Sequence, residues 1–117
     1  MSVLQEKSED FAVRVVNLYR FLRSKHEFEI SKQLKRSGTS IGANITEALF
    51  GISKKDYLAK MYIAFKECNE TLYWLRVLHR TEYLTDAEFD SINRDCTEIA
   101  KMLSSTIKTT KQNLDDN

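Results

Sequence analysis

The sequence predicts an all-α fold in which four helices surround one core, and three observations support this prediction. The chain of 117 residues has no proline and only three glycines, so it offers few breaks for a many-stranded fold. Apolar residues make up 42% of the chain and charged residues 30%, which provides for both burial and solubility. Apolar residues recur at spacings of three and four in four segments. We therefore predict one domain over residues 1–117, with helices at about 4–24, 29–49, 54–80 and 86–110.

The first helix, about 4–24, follows from a broad apolar face. Phe11, Val15 and Leu22 are spaced as one face of a helix requires, and the polar string 24–27 then forms a connection.

The second helix, about 29–49, contains the loop-like stretch RSGTSIGANITEA at 36–48. Treated as a helix, the segment places small and apolar residues on one stripe: Ile30, Leu34, Gly38, Ile41, Ile45 and Ala48. We expect Gly38 and Gly42 to make this helix slim, so that a neighbouring helix can approach. No strand precedes the glycines and their spacing is not that of a phosphate-binding loop, so that alternative is disfavoured.

A polar row borders this stripe, and we expect it to form a structural polar network because buried polar groups must be paired. The row consists of Gln33, Ser37, Ser40, Asn44 and Glu47. The expected partners are Lys60, Glu67, Glu70 or Arg36 from the bundle or from an adjoining subunit.

The third helix, about 54–80, begins at a predicted Ser53 cap and carries a stripe from Leu58 to Leu75. The fourth begins at the capping box Thr85–Glu88. Its core stripe is predicted to be Phe89, Ile92, Cys96, Ile99, Leu103 and Thr106. From Lys108 onward the pattern weakens, and we expect the tail to fray.

The third helix has a second apolar row on its opposite side. Ile63, Trp74 and Val77 alternate there with Glu67 and Glu70. A helix in a monomeric bundle needs one apolar face, and exposed Trp with charges nearby is typical of interfaces. These five residues are the predicted oligomer interface.

Charge is unevenly distributed although the net charge is only +1. Residues 14–36 hold seven Lys or Arg against two Glu, and residues 82–98 hold six acidic residues against one Arg. The two segments either neutralise each other or leave a basic surface for a nucleic acid, whether RNA or DNA. The candidate nucleic-acid-binding residues are Arg14, Arg20, Arg23, Lys32, Lys35 and Arg36. No aromatic stacking motif supports base-specific recognition, so binding would be electrostatic.

We predict no catalytic residue, no cofactor and no metal site. Ser37 and Ser40 lack an activating base nearby in sequence, and Cys68 and Cys96 fit reduced core residues. Glu67 and Glu70 share a helix face, which keeps a carboxylate metal-binding bundle open as a weaker alternative, although no His follows either at the required spacing. The start of the chain is too polar for a secretory signal and no apolar run could span a membrane, so we expect a cytoplasmic protein.

Three motifs carry a family resemblance. They are KQLxRSxTSIxANIxEA at 32–48, SKxD at 53–56 and KExxETxYWL at 66–75. With them the chain resembles the bacterial four-helix-bundle family of the 23S ribosomal RNA intervening-sequence protein. That family also includes the accessory variability protein of diversity-generating retroelements. The likeness runs over nearly the whole chain and is weakest before Phe11 and after Lys111.

The resemblance implies an up-down-up-down antiparallel bundle, a homopentameric ring and no enzymatic activity. The retroelement members act as basic, nucleic-acid-binding partners of a reverse transcriptase, whereas this chain is nearly neutral. The near-neutral balance predicts weak binding, since few phosphates can be neutralised. We expect a non-catalytic oligomeric module that associates with a nucleic acid through its basic surface. The alternative is an accessory partner of a reverse transcriptase or another protein, without direct nucleic-acid binding.

Overall fold

The computed structural model describes residues 1–115, which form four helices and no strand within that range. The helices are α1 (Val3–Ser24), α2 (Glu29–Leu49), α3 (Lys54–Arg80) and α4 (Asp86–Asp115). Each packs against the next, and α4 also contacts α1, although more lightly. Because the connections are short, consecutive helices run antiparallel along the 52 Å axis of a molecule 22 Å wide in the other two directions. None of the helices in residues 1–115 has the length and apolarity needed to cross a membrane.

The helix starts are held by hydrogen bonds that the sequence indicates. Ser53 Oγ accepts a hydrogen bond from the Asp56 backbone N–H at 3.0 Å. Thr85 and Glu88 bond reciprocally, backbone N–H to side chain, at 2.9 and 3.1 Å. These bonds confirm the predicted cap and the predicted capping box, and they satisfy N–H groups that have no partner inside a helix.

Two helices end at residues with a left-handed backbone. His26 has φ 63° and Glu82 has φ 68°. After α1, the Glu27 N–H returns to the Leu22 carbonyl at 2.9 Å, which closes the helix end. Glycine usually occupies this conformation. Because His26 and Glu82 occupy it here, the sequence carries no glycine signal for these two helix ends.

The glycines of α2 lie where α1 comes closest, and the stretch 36–48 is helical throughout. A Cβ at Gly38 would stand 2.7 Å from Val15 Cγ2, and one at Gly42 would stand 3.3 Å from Ser8 Oγ. The prediction of a slim helix is confirmed, and Gly38 is the tighter of the two contacts.

The C-terminal part of α4 differs from the prediction, because the helix continues to Asp115 instead of fraying after Lys108. Ile107 is buried, whereas the predicted Thr106 is only partly buried. The half-buried Thr110 and Leu114 extend the stripe at spacings of three and four. The amphipathic pattern therefore persists in weaker residues, and backbone hydrogen bonds carry the helix along it.

Candidate interaction surfaces

The connection between α1 and α2 gathers a cluster of cations that we call the basic corner. It comprises Arg20, Arg23, Lys25, Lys32, Lys35 and Arg36. Five of these are predicted nucleic-acid-binding residues, and Lys25 is an addition. The nearby Glu27 carboxylate accepts a hydrogen bond from the Ser31 backbone N–H at 2.7 Å, so it acts as a cap for α2.

Arg14, the sixth predicted cation, lies apart from the basic corner because it pairs with α4. Its Nη1 donates to Asp95 Oδ2 at 2.6 Å, and its Nη2 donates to Ser91 Oγ at 3.1 Å. Lys7 similarly lies 3.3 Å from Glu98. The expected neutralisation between the basic and acidic segments thus takes place at Arg14 and leaves the basic corner without an acidic partner from α4 among the described residues.

Aromatic rings lie among the cations of the basic corner, which the sequence analysis missed. Lys35 Nζ is 4.3 Å from the centre of the Tyr19 ring, and Arg23 Cζ is 5.1 Å from that of Phe28. Phe21 and Phe28 are each 41% exposed. Tyr19 and Arg23 are four residues apart on one helix, so their contact could be predicted from the sequence. Phe28 reaches Arg23 only because the chain reverses direction between α1 and α2.

The outer side of α3 exposes three large side chains, Tyr62, Ile63 and Tyr73, which we call the α3 face. Their exposed fractions are 46%, 37% and 50%. Trp74, placed by the sequence in the same interface, packs partly against the core, and its Nε1 donates to Glu70 Oε2 at 3.3 Å. Val77 is also partly buried. Of the predicted set, Ile63 and Glu70 are therefore the most accessible.

The Glu67–Glu70 pair adds negative charge beside this face. Burial raises the pKa of Glu67, the Glu70 charge raises it further, and Lys66 and Arg36 oppose the shift. No group of three His, Cys, Asp or Glu side chains within residues 1–115 is arranged to hold a metal ion. The pair thus lacks a third ligand from its own chain, whereas a cation from a partner would relieve its repulsion.

Within one chain, Ser37 and Glu47 of the predicted polar network on α2 reach partners on α3, whereas two other members bond locally. Thr71 Oγ1 donates to the buried Ser37 Oγ at 2.9 Å. Ser40 and Asn44 donate to backbone carbonyls of their own helix. Gln33 is exposed, and Glu47 lies 3.9 Å from Lys60, one of its expected partners. The row follows the rim of the apolar stripe, and Ser37 is its buried member, so Ser37 requires a hydrogen-bond partner inside the bundle.

The two cysteines are free and buried, as predicted. Cys96 Sγ donates to the Cys68 carbonyl at 3.6 Å. The hydrogen bond with the Cys68 side chain, together with burial, raises the pKa of the Cys96 thiol. A thiol with a raised pKa is a poor nucleophile at neutral pH, so Cys96 has the chemistry of a core residue.

The connection between α2 and α3 carries a second apolar surface that the sequence analysis overlooked. Leu49, Phe50 and Ile52 are 43%, 81% and 99% exposed. Loop residues are usually polar, so the run LFGI between two helices was the available signal.

Comparisons with known proteins give a consistent result. The model of the 23S rRNA-intervening sequence protein family matches residues 2–105. A crystal structure from Bacteroides thetaiotaomicron, described as a protein with unknown function from the S23 ribosomal protein family, is similar at 57% identity and a TM-score of 0.89. The alignment covers 91% of this chain and 99% of that one. No match was found among curated proteins.

Proposed function

The chain belongs to the 23S rRNA-intervening sequence protein family, and we propose that it is a non-catalytic, cytoplasmic assembly module that binds further copies of itself. The observation that carries the proposal is the α3 face. Tyr62, Ile63 and Tyr73 are exposed on α3, whereas the other side of this helix is buried in the core. Burial of apolar surface contributes roughly 25 cal/mol per Å². The family resemblance, which implies a homopentameric ring, supports five copies.

The α3 face can be tested with Ile63→Asp, which places a charge in the proposed contact and leaves the core stripe untouched. Light scattering should show the wild type as an oligomer, most simply a pentamer, and the variant as smaller species, with circular dichroism unchanged. Val13→Asp is the matched control, since Val13 is 58% exposed on α1. Trp74→Ala should also weaken the oligomer but will cost some stability, because Trp74 packs partly on the core. A wild-type monomer at micromolar concentration refutes the proposal.

A second candidate function, association with RNA, is favoured by the basic corner. Three of its six cations, Arg23, Lys25 and Lys35, lie over aromatic rings. Cations that neutralise phosphates release counterions, so affinity depends steeply on salt. A net charge of +1 gives the single chain little attraction for RNA, but a ring would repeat the corner in every copy.

The expected result is weak RNA binding at low salt that falls by at least tenfold towards physiological salt. Lys32→Glu with Lys35→Glu should abolish it. Lys108→Glu with Lys111→Glu, which changes charge equally on exposed residues of α4, should leave most of it. Absence of binding at low salt removes this candidate and leaves the assembly module. The alternative is then a protein partner, such as the reverse transcriptase that the retroelement resemblance suggests.

A further inference from the structure

One guanidinium in the basic corner joins two aromatic rings that belong to different parts of the chain. Arg23 Cζ lies 5.5 Å from the centre of the Tyr19 ring, one turn earlier on α1, and 5.1 Å from that of the Phe28 ring, at the start of α2. We call these three side chains the stacking cluster. Lys35 approaches the Tyr19 ring from α2, with its Nζ 4.3 Å from the ring centre. The cluster therefore bridges α1 and α2.

The stacking cluster presents flat groups to solvent. Phe28 is 41% exposed, and Arg23 is exposed as well. Tyr19 is partly buried, so it supports the guanidinium from the helix side. The His26 ring meets Phe28 edge-on, with the ring centres 6.0 Å apart. Because these contacts already restrict the two exposed side chains, little conformational entropy would be lost if a flat ligand covered them.

The charge around the stacking cluster is strongly positive. Residues 20–36 hold six Lys or Arg against two Glu. Of these two, Glu27 accepts a hydrogen bond from the Ser31 backbone N–H at 2.7 Å, and Glu29 lies in the first turn of α2, at the positive end of the helix dipole. The ion pairs found within residues 1–115 involve none of the six cations. The corner is therefore free to attract an anion.

The other acidic groups lie to the sides of the cluster. Arg36 interacts electrostatically with Glu67 of α3, so its charge is partly engaged. The acidic helix α4 packs on α1 and α3 but, among the described residues, not on α2. Glu9 and Glu47 line a cavity between α1 and α2 in the other half of the bundle. The positive surface is therefore confined to the corner, where the flat groups are.

The flat groups distinguish between the two forms of RNA, although the cations would suit either. In a single strand the bases are unpaired, and they stack on aromatic rings and on arginine guanidinium groups. In a duplex the bases stack inside the helix, so the surface offers phosphates and riboses. An exposed Phe28 would gain no stacking partner from a duplex.

We propose that the basic corner binds single-stranded RNA, with unpaired bases stacked on the Phe28 ring and on the Arg23 guanidinium. Tyr19 positions Arg23 from the other side, and Lys32 and Lys35 contact the phosphates. Stacking of this kind accepts any base, so the site has little sequence preference. The inference rests on the proposed association with RNA and names the form of RNA that the site takes.

The first test compares a single-stranded RNA with its duplex of the same length by fluorescence anisotropy at low salt. We expect the wild type to bind the single strand about fivefold or more tightly, the lower end of what one stacked base contributes, although the duplex carries more charge. Phe28→Leu stays apolar but removes the ring, so it should abolish this preference and keep duplex binding. Phe50→Leu is the matched control, since Phe50 is exposed at the opposite end of the bundle, and it should keep the preference.

The second test separates stacking from charge. Arg23→Lys keeps the positive charge and loses the planar guanidinium, so affinity should fall more for the single strand than for the duplex. An abasic strand has the same phosphates without bases, so the wild type and Phe28→Leu should bind it equally. Circular dichroism checks that both variants keep their helix content.

The outcomes separate this inference from the association on which it rests. If the wild type binds RNA but prefers the duplex, or if Phe28→Leu keeps the single-strand preference, stacking is wrong and the electrostatic association stands. Absence of RNA binding at low salt refutes both. Tighter binding of the matching DNA strand would overturn the choice of RNA as the ligand.

Discussion

The close approach of α1 and α2 depends on one residue position. A Cβ at Gly38 would stand 2.7 and 2.8 Å from the two methyl carbons of Val15, which is closer than carbon atoms can approach without a shift. Glycine lowers helix propensity by roughly 1 kcal/mol relative to alanine. At Gly38 the lower propensity is offset by packing, because Val15 of α1 occupies the space where a side chain would stand.

Gly38→Ala should therefore destabilise the protein by about 1–3 kcal/mol, despite its gain in helix propensity, because the added methyl overpacks the contact. Chemical denaturation measures the change. In a Val15→Ala background the same substitution should cost less, since the opposing methyl groups are absent. Gly42→Ala should have the smaller effect, since the nearest atom to its Cβ would be Ser8 Oγ, at 3.3 Å. A Gly38→Ala variant more stable than the wild type would show that α1 moves aside freely.

Among the helices, α4 has the most complete start. Thr85 and Glu88 satisfy each other's backbone N–H groups, and Glu88 carries its charge at the positive end of the helix. The hydrogen bond from the Thr85 backbone, and then that from its side chain, lowers the pKa of Glu88. A carboxylate with a lowered pKa stabilises the folded state when ionised.

The sign of the resulting pH dependence follows from this direction. Glu88 has a lower pKa when folded, so its contribution is complete above the unfolded pKa, about 4.3, and disappears as pH falls through the folded pKa. The wild type should therefore be more stable than Glu88→Gln at pH 7, and the difference should narrow as pH drops below 4.3. Thermal melts across that range measure it, with Asp90→Asn as a control in the same helix. A difference that stays constant with pH contradicts the argument.

Substitution of the partner tests the cap itself. Thr85→Ala removes the side-chain oxygen that accepts from the Glu88 N–H. The expected loss is about 1 kcal/mol, the usual value for a capping threonine. Thr85→Ser keeps the acceptor and should retain most of the stability in denaturant titrations. Equal losses in both variants would assign the effect to the threonine methyl group.

At the scale of the whole molecule, the bundle closes along the polar seam between α1 and α4. Arg14 pairs with Asp95 at 2.6 Å and Lys7 with Glu98 at 3.3 Å, and all four side chains are partly exposed. The contact between α1 and α4 is the smallest of the helix–helix contacts. These ion pairs therefore help to position the first helix against the last.

The coupling between Arg14 and Asp95 should be small, about 0.2–1 kcal/mol, because both side chains remain open to solvent. A double-mutant cycle with Arg14→Gln and Asp95→Asn measures it. The coupling should shrink as salt is added, since screening weakens exposed charge pairs. The same cycle on Lys7 and Glu98 provides a comparison at a longer distance. A coupling unaffected by salt would show that the hydrogen bond between Arg14 and Asp95, and not the attraction between their charges, carries it.

The sequence by itself determined the four helices, their starts and the slim face of α2. Periodic spacing and capping residues act over three or four positions, so they can be read along the chain. Ser53, Thr85 and Glu88 are local signals of this kind, and their bonds form as expected. The family follows from motifs that are local in the same sense.

Only the tertiary structure decided which surfaces meet and which stay open. Arg14 and Asp95 are 81 residues apart, and Ser37 and Thr71 are 34 apart, so their pairing depends on how the helices are rotated and arranged. The same rotation turns Trp74 partly inward and leaves Tyr62 and Tyr73 exposed. Helical periodicity defines the faces of a helix, but packing against distant segments selects the face that is buried, and that selection has no local signature in the sequence.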